Sequence, residues 1–123
     1  MTEQTHVHHA IDYVEIGVTD LDRAKAFYAA AFGWQFNDYG PGYAGIRWVT
    51  GDGEVGGLAV GAPTGAGGVL VQLYSDDLEA TVSAVEAAGG TVADPVFAFP
   101  GGRRFHFLDP DGNRLGVWST AGA

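Results

Sequence analysis

Val14-Glu15-Ile16-Gly17-Val18-Thr19-Asp20-Leu21-Asp22 and Val71-Gln72-Leu73-Tyr74-Ser75-Asp76-Asp77-Leu78-Glu79 are two versions of one stretch. An offset of 57 residues carries the first onto the second, and the same offset pairs Ala30 with Ala87, Ala31 with Ala88 and Gly33 with Gly90. Each version runs from an alternating strand pattern into an acidic helix start, an Ala-rich helix and a glycine stop. Agreement in both residues and element order marks a duplicated structural unit.

Outward from these stretches, the first helix is predicted over about Leu21 to Phe32. Leu21, Ala24, Phe27, Tyr28 and Ala31 form its apolar stripe, and Thr19 with Asp22 its capping box. The second is predicted over about Leu78 to Ala88, with Leu78, Val82 and Val85 as its stripe. Asp76 and Glu79 cap it, and Gly89-Gly90 ends it. Strands are expected at Trp34 to Tyr39, Tyr43 to Thr50 and Gly57 to Val60, separated by Gly40-Pro41-Gly42 and Gly51-Asp52-Gly53. In the second copy they fall at Thr91 to Phe99, Arg103 to Leu108 and Arg114 to Ser119. Asp109-Pro110-Asp111-Gly112-Asn113 is a turn, because proline presets φ and glycine accepts a positive one. The expected fold is α+β, two tandem βαβββ modules forming a curved mixed sheet around a central cavity. The modules span about 10–61 and 67–120, joined by the connector 61–68, and residues 1–9 form an N-terminal tail.

The 123 residues are 46% hydrophobic and 17% charged, a balance that suits one globular domain. The absence of cysteine excludes disulfides, zinc–thiolate sites, iron–sulfur clusters and thiol nucleophiles. Six basic residues against 15 acidic ones give a formal charge of −9. A phosphate-binding protein needs a basic face, so nucleic acid is not expected as a partner. No apolar run approaches the roughly 18 residues of a membrane helix. The polar segment Met1 to His9 lacks an apolar signal core. These features predict a cytoplasmic protein with no membrane partner.

Strand alternation sorts the side chains onto two faces. Val14, Ile16 and Val18 share an apolar face, as do Leu73, Phe105, Phe107, Leu115 and Val117. Tyr13, Glu15, Gln72, Arg104, His106 and Trp118 fall on the other. An antiparallel sheet with one wet side explains that mixed face. A curved sheet lining a ligand cavity explains it too, since ring surface with a few polar anchors is what pockets are made of. The internal repeat favours the cavity, with Glu15 and Gln72 in equivalent places.

The ordered set Val18-Thr19-Asp20-Leu21-Asp22-Arg23-Ala24, Phe27-Tyr28, Phe32-Gly33-Trp34, then Asp77-Leu78 through Ala87-Ala88-Gly89-Gly90, then Phe107-Leu108-Asp109-Pro110-Asp111-Gly112-Asn113 resembles the vicinal oxygen chelate superfamily. That group contains glyoxalase I, bleomycin-resistance proteins, fosfomycin-resistance enzymes and extradiol dioxygenases. The likeness covers about Ile11 to Ser119. It implies the paired-module fold, a homodimer, and, in catalytic members, a divalent metal acting as Lewis acid on two substrate oxygens. The metal positions it implies fall here on Tyr13, Leu70 and Gly116. Leucine and glycine offer no side-chain donor and a neutral tyrosine is a poor one. The usual metal centre is therefore not expected. Glu15 in Tyr-Val-Glu-Ile and Gly116 in Leu-Gly-Val-Trp resemble a subgroup labelled "related to lactoylglutathione lyase".

Glu15 and His106 are the candidate acid–base residues. A carboxylate in mid-strand titrates upward when buried, and histidine is the physiological-pH acid, base or donor. A salt-bridged glutamate and a packed histidine are the structural readings of the same residues. The candidate ligand-binding residues are Tyr13, Leu70, Gln72, Arg104, Gly116 and Trp118. Arg104 offers its fork to a carboxylate or phosphate, and Trp118 a face for stacking. Arg103, Arg104 and Arg114 are half of all basic residues and form a local positive spot. His6, His8 and His9 are read as tail residues, with His9 sharing the parity of Tyr13 and Glu15. Three functions follow. The first is a glyoxalase- or bleomycin-resistance-like protein that binds a small organic ligand without a cofactor. The second is a metal-independent isomerase or lyase on a carbonyl compound, using Glu15 and His106. The third is a lyase or dioxygenase with displaced ligands such as His9, Glu15 and His106 around Ni, Zn, Mn or Fe.

Overall fold

The structure, a computed structural model, describes residues 6–50 and 53–120. Its elements run in the order β1 (Ile11–Val18), α1 (Leu21–Phe32), β2 (Phe36–Asp38), β3 (Tyr43–Arg47), β4 (Glu54–Val60), β5 (Val69–Tyr74), α2 (Leu78–Ala87), β6 (Thr91–Phe99), β7 (Gly102–Leu108) and β8 (Arg114–Thr120). The connector holds a short 3₁₀ turn at Gly65–Gly67. This is the α+β, twice-repeated βαβββ order that the repeat predicts. Gly51 and Asp52 of the expected turn lie outside the described residues.

The helices start at the expected residues but are capped one residue later than predicted. Asp20, not Thr19, accepts from the Arg23 amide at 3.0 Å. Asp77, not Asp76, accepts from Ala80 at 3.1 Å. In both, an aspartate directly before the first helical leucine reaches the third amide of the helix, the geometry of an N-cap. Gly33 ends α1 with φ 73°, a left-handed position that costs glycine nothing. The second helix ends at Ala87, with Ala88 as its cap.

The chain divides into two compact units, residues 13–70 and residues 6–12 with 71–120. In the first the strand order is β2-β3-β4-β1, with β1 parallel to β4 and the other pairs antiparallel. Its core joins Leu21, Ala44, Ile46 and Leu58, with Ile16, Val18, Tyr28 and Trp34 packed against them. In the second the order is β5-β8-β7-β6, with β5 parallel to β8. Its core joins Leu78, Phe105 and Val117, flanked by Leu73, Val82, Val85 and Phe107. The α2 stripe meets the apolar sheet face of its unit, and so do Leu21, Ala24 and Tyr28 of α1, whereas Phe27 and Ala31, predicted on the same stripe, are exposed; the other sheet face is left for chemistry.

One core position breaks the pattern. Ser119 is fully buried and its hydroxyl has no hydrogen-bond partner among the described residues. A buried polar atom left unsatisfied carries its desolvation cost without return. Ser119→Ala is expected to raise stability by about 0–1 kcal/mol, read as an unchanged or higher midpoint in urea unfolding.

Candidate functional site

Strand register builds the polar face of the second unit. Gln72 on β5 is level with Gly116 on β8, Gly116 with His106 on β7, and His106 with Asp94 on β6. The neighbouring row is Tyr74, Trp118, Arg104 and Phe97. Five of the predicted site residues, Gln72, Arg104, His106, Gly116 and Trp118, are thus brought onto adjacent rungs of one face.

His106 is 7% exposed, and its Nδ1 lies 2.7 Å from Asp94 Oδ2. Arg114 donates to the same carboxylate oxygen, and its Nη2 is 3.1 Å from His106 Nδ1. A carboxylate only accepts and Arg114 spends its Nη2 on Asp94, so we assign the proton to Nδ1, which leaves Nε2 with a bare lone pair. That Nε2 is buried and has no partner among the described residues. Burial lowers the His106 pKa below its ordinary value. The Asp94 bond opposes that shift, and the charges of Arg104 and Arg114 reinforce it. The bond from His106, with Arg114 beside it, holds the Asp94 carboxyl below the usual carboxylate range. The histidine is therefore kept neutral and oriented.

This arrangement gives stability a sign with pH. The unfolded chain protonates His106 near the ordinary value of about 6.5, while the folded chain resists. Stability contributed by the site is full above that pH and falls as pH drops from about 6.5 toward the lowered folded value. The expected result is a urea midpoint that declines between pH 7 and pH 5, with a shallower decline in His106→Phe.

Gly116 lies between the two central polar groups. A Cβ there would sit 3.1 Å from Gln72 Oε1 and 3.1 Å from His106 Cδ2, so both side chains crowd over this glycine. Gln72 is 3% exposed, and its Oε1 is, like His106 Nε2, a buried atom without a partner. Rings surround the pair. Phe97 meets His106 edge-on at 5.5 Å, and the Arg104 guanidinium stands 5.3 Å from the Phe97 ring and 5.2 Å from the Phe99 ring. Phe99 in turn meets Trp118 edge-on at 6.1 Å. Trp118 donates from Nε1 to Asp12 Oδ2 at 2.9 Å, and His6 lies 2.9 Å from Asp12 Oδ1 while stacking on Tyr74. His6 and His9, read as tail residues, thus pack on this unit, His9 through Thr81 at 3.2 Å. His8 accepts from the Asp76 amide at 2.9 Å.

The arginine trio does not form one positive spot. Arg103 points to the helix side and pairs with both oxygens of Glu79 at 2.8 and 3.1 Å. Arg114 is committed to Asp94, and only Arg104 lies among the rings.

The first unit carries the equivalent row Glu15, Gly57, Gly45 and Asn37. Two glycines stand where the second unit has Gly116 and His106, and side chains from elsewhere fill the space. The Glu54 carboxylate lies over Gly45 and takes hydrogen bonds from Asn37 Nδ2 at 2.9 Å and from Tyr39. The Tyr43 and Tyr13 hydroxyls bond to each other over Gly57. Burial, with the Tyr43 bond second, pushes the Tyr13 phenol far above its ordinary pKa. Glu15 is half-buried and belongs to this unit, whereas His106 belongs to the other. Leu70 lies on β5 in the same strand parity as Gln72.

The donor set does not fit the metal positions that the resemblance implies. Leu70 and Gly116 have no side-chain donor, and the Tyr13 phenol is held protonated against Tyr43. Among the described residues, no group of three or more His, Cys, Asp or Glu is arranged to hold a metal ion.

Sequence parity missed Asp94, Phe97 and Phe99, because β6 shifts register between Val92 and Asp94 and again before Phe97. Pro95 between the shifts was the available signal, since proline inside a strand marks an edge or a bulge. Glu54 was missed for a similar reason, a bulge beside Arg47.

Residues 10–117 match the family model of the Glyoxalase/Bleomycin resistance protein/Dioxygenase superfamily. A Mycobacterium bovis protein named as a glyoxylase, CFP32, is 32% identical over 117 residues, covering 89% of this chain and 45% of that one. The chain therefore spans less than half the length of the first curated relatives it matches. The crystal structure of the Mn(II)-bound glyoxalase from Novosphingobium aromaticivorans superposes with a TM-score of 0.68 at 32% identity, over 93% of this chain and 40% of that one. Methylmalonyl-CoA epimerase from Mycobacterium tuberculosis superposes at 0.69 with 17% identity, over 98% of this chain and 93% of that one, a likeness of fold alone.

Proposed function

The chain belongs to the Glyoxalase/Bleomycin resistance protein/Dioxygenase superfamily, and we propose that it binds a small organic ligand on the polar face of its second unit, with His106 as the central acceptor. The observation that carries this reading is the buried, unpartnered Nε2 of a histidine whose other nitrogen is fixed by Asp94. A buried polar atom without a partner costs about 1–3 kcal/mol, and a ligand that fills the position recovers it. Gln72, Arg104, Trp118 and Gly116 complete the site in this proposal. No step is routed through a metal, because Leu70 and Gly116 supply no donor.

A thermal-shift screen of small aromatic and carbonyl compounds tests the reading. A ligand at about 100 times its Kd stabilises the folded state by about 2.7 kcal/mol. Gly116→Ala should abolish that shift, because its Cβ would press on Gln72 Oε1 and His106 Cδ2 at 3.1 Å. A shift that persists undiminished in Gly116→Ala would place the ligand elsewhere.

A second reading, a metal-independent isomerase or lyase, is favoured by the Asp94–His106 pair. A neutral imidazole oriented by a carboxylate is suited to take a proton from a substrate carbon or hydroxyl. The names of the relatives support a carbonyl compound as its substrate class. In this reading His106 is the base and Asp94 its positioning residue. We further propose a homodimer, on the family likeness, and a cytoplasmic location. Among the described residues no helix is long and apolar enough to cross a membrane.

A further inference from the structure

We propose that the ligand of this site is a flat conjugated molecule that presents hydrogen-bond donors to the protein, a hydroxyl-bearing aromatic ring being the simplest form. The inference rests on the binding reading above and adds the polarity of the ligand. Two buried acceptors on this face, His106 Nε2 and Gln72 Oε1, have no partner among the described residues. They crowd over Gly116, where no side chain intervenes. An acceptor-only ligand, such as a simple ketone or ether, would leave both unsatisfied and add its own desolvated oxygen. A ligand O–H or N–H satisfies them.

The surroundings select the rest of the molecule. Phe97, Phe99 and Trp118 border the acceptor pair on the adjacent rung and its neighbour, and their rings favour a conjugated surface through offset or edge-to-face contact. The Arg104 guanidinium lies among the same rings, and a cation there favours a ligand whose hydroxyl is polarised toward oxygen. A hydroxyl on an aromatic ring is such a group, and a better donor than an aliphatic alcohol. Beside the Arg104 cation, the site thus offers two lone pairs to a ligand's hydrogen-bond donor.

The test compares two probes of nearly equal shape by isothermal titration into the 123-residue chain at pH 7.5. These are 4-methylphenol, an ordinary phenol that keeps its proton at this pH and donates, and 4-methylanisole, which does not. The inference expects 4-methylphenol to bind at least tenfold more tightly, with the difference shrinking at least threefold in Gln72→Leu, checked for folding by circular dichroism. Equal affinities would overturn the donor polarity and leave the aromatic-ligand reading standing. A preference that survives unchanged in Gln72→Leu and in His106→Phe would place the acceptor outside this pair and overturn the assignment. Failure of both probes to bind at millimolar concentration, while the thermal-shift screen yields other ligands that Gly116→Ala abolishes, would reject the ligand class alone. Failure of the probes and the screen together would reject the binding reading with it.

Discussion

His106→Phe is expected to leave a folded chain that binds its ligand about tenfold to a hundredfold more weakly. The side chain is nearly buried, so a ring of similar size is needed to hold the packing. Folding loses the hydrogen bond to Asp94 but also loses the unpartnered Nε2, and these effects oppose each other. Asp94 keeps Arg114 as its partner. Stability should therefore change by no more than about 1 kcal/mol. Binding has no such compensation. The ligand donor that met Nε2 would face a hydrocarbon edge, and an unmet buried donor costs about 1–3 kcal/mol, where 1.4 kcal/mol is one factor of ten in affinity. Paired urea unfolding and titration calorimetry separate the two effects. A variant that loses affinity only in proportion to its loss of stability would assign His106 a packing role.

Phe105→Ala is expected to have the largest effect on the fold, a loss of about 3–5 kcal/mol. Phe105 is fully buried, one residue from His106 on β7, and faces the opposite way into the core with Leu78 and Val117. Removing the ring leaves a cavity under the strand that carries the site. Against a typical total of about 5–15 kcal/mol, that loss is severe. It should lower the thermal midpoint by roughly 10–20 °C, by scaling from domains of similar size. Calorimetry on the two variants tests the division of β7 into a structural and a functional face. Similar destabilisation by His106→Phe and Phe105→Ala would contradict it.

That division was legible in the sequence, because Phe105 and Phe107 alternate with Arg104 and His106. So was the duplicated module, since Val14 to Asp22 and Val71 to Glu79 share both residues and element order. The partners of the site were not. Asp94 reaches the His106 rung only through two register shifts flanking Pro95, and period-two counting fails across a bulge. Asp12 meets Trp118 across 106 residues of chain, a distance that no local pattern encodes. Glu15 and Gln72 read as equivalent, and by register they are. Their surroundings differ, because the first unit covers its glycines with Glu54, Tyr43 and Tyr13, while in the second a bare glycine lies beside two unsatisfied acceptors. Equivalence of backbone position did not carry equivalence of chemistry.

The central claim is a neutral His106 with its proton on Nδ1 and a buried, unpartnered lone pair on Nε2. It is tested most directly by the long-range ¹H–¹⁵N spectrum of the ¹⁵N-labelled chain, followed from pH 8 to pH 5, with His106 assigned by comparison with His106→Phe. The account predicts an Nδ1–H tautomer that titrates below the ordinary histidine value, with the Nε2 resonance moving when a ligand binds. An Nε2–H tautomer, or a titration at or above the ordinary value, would contradict it.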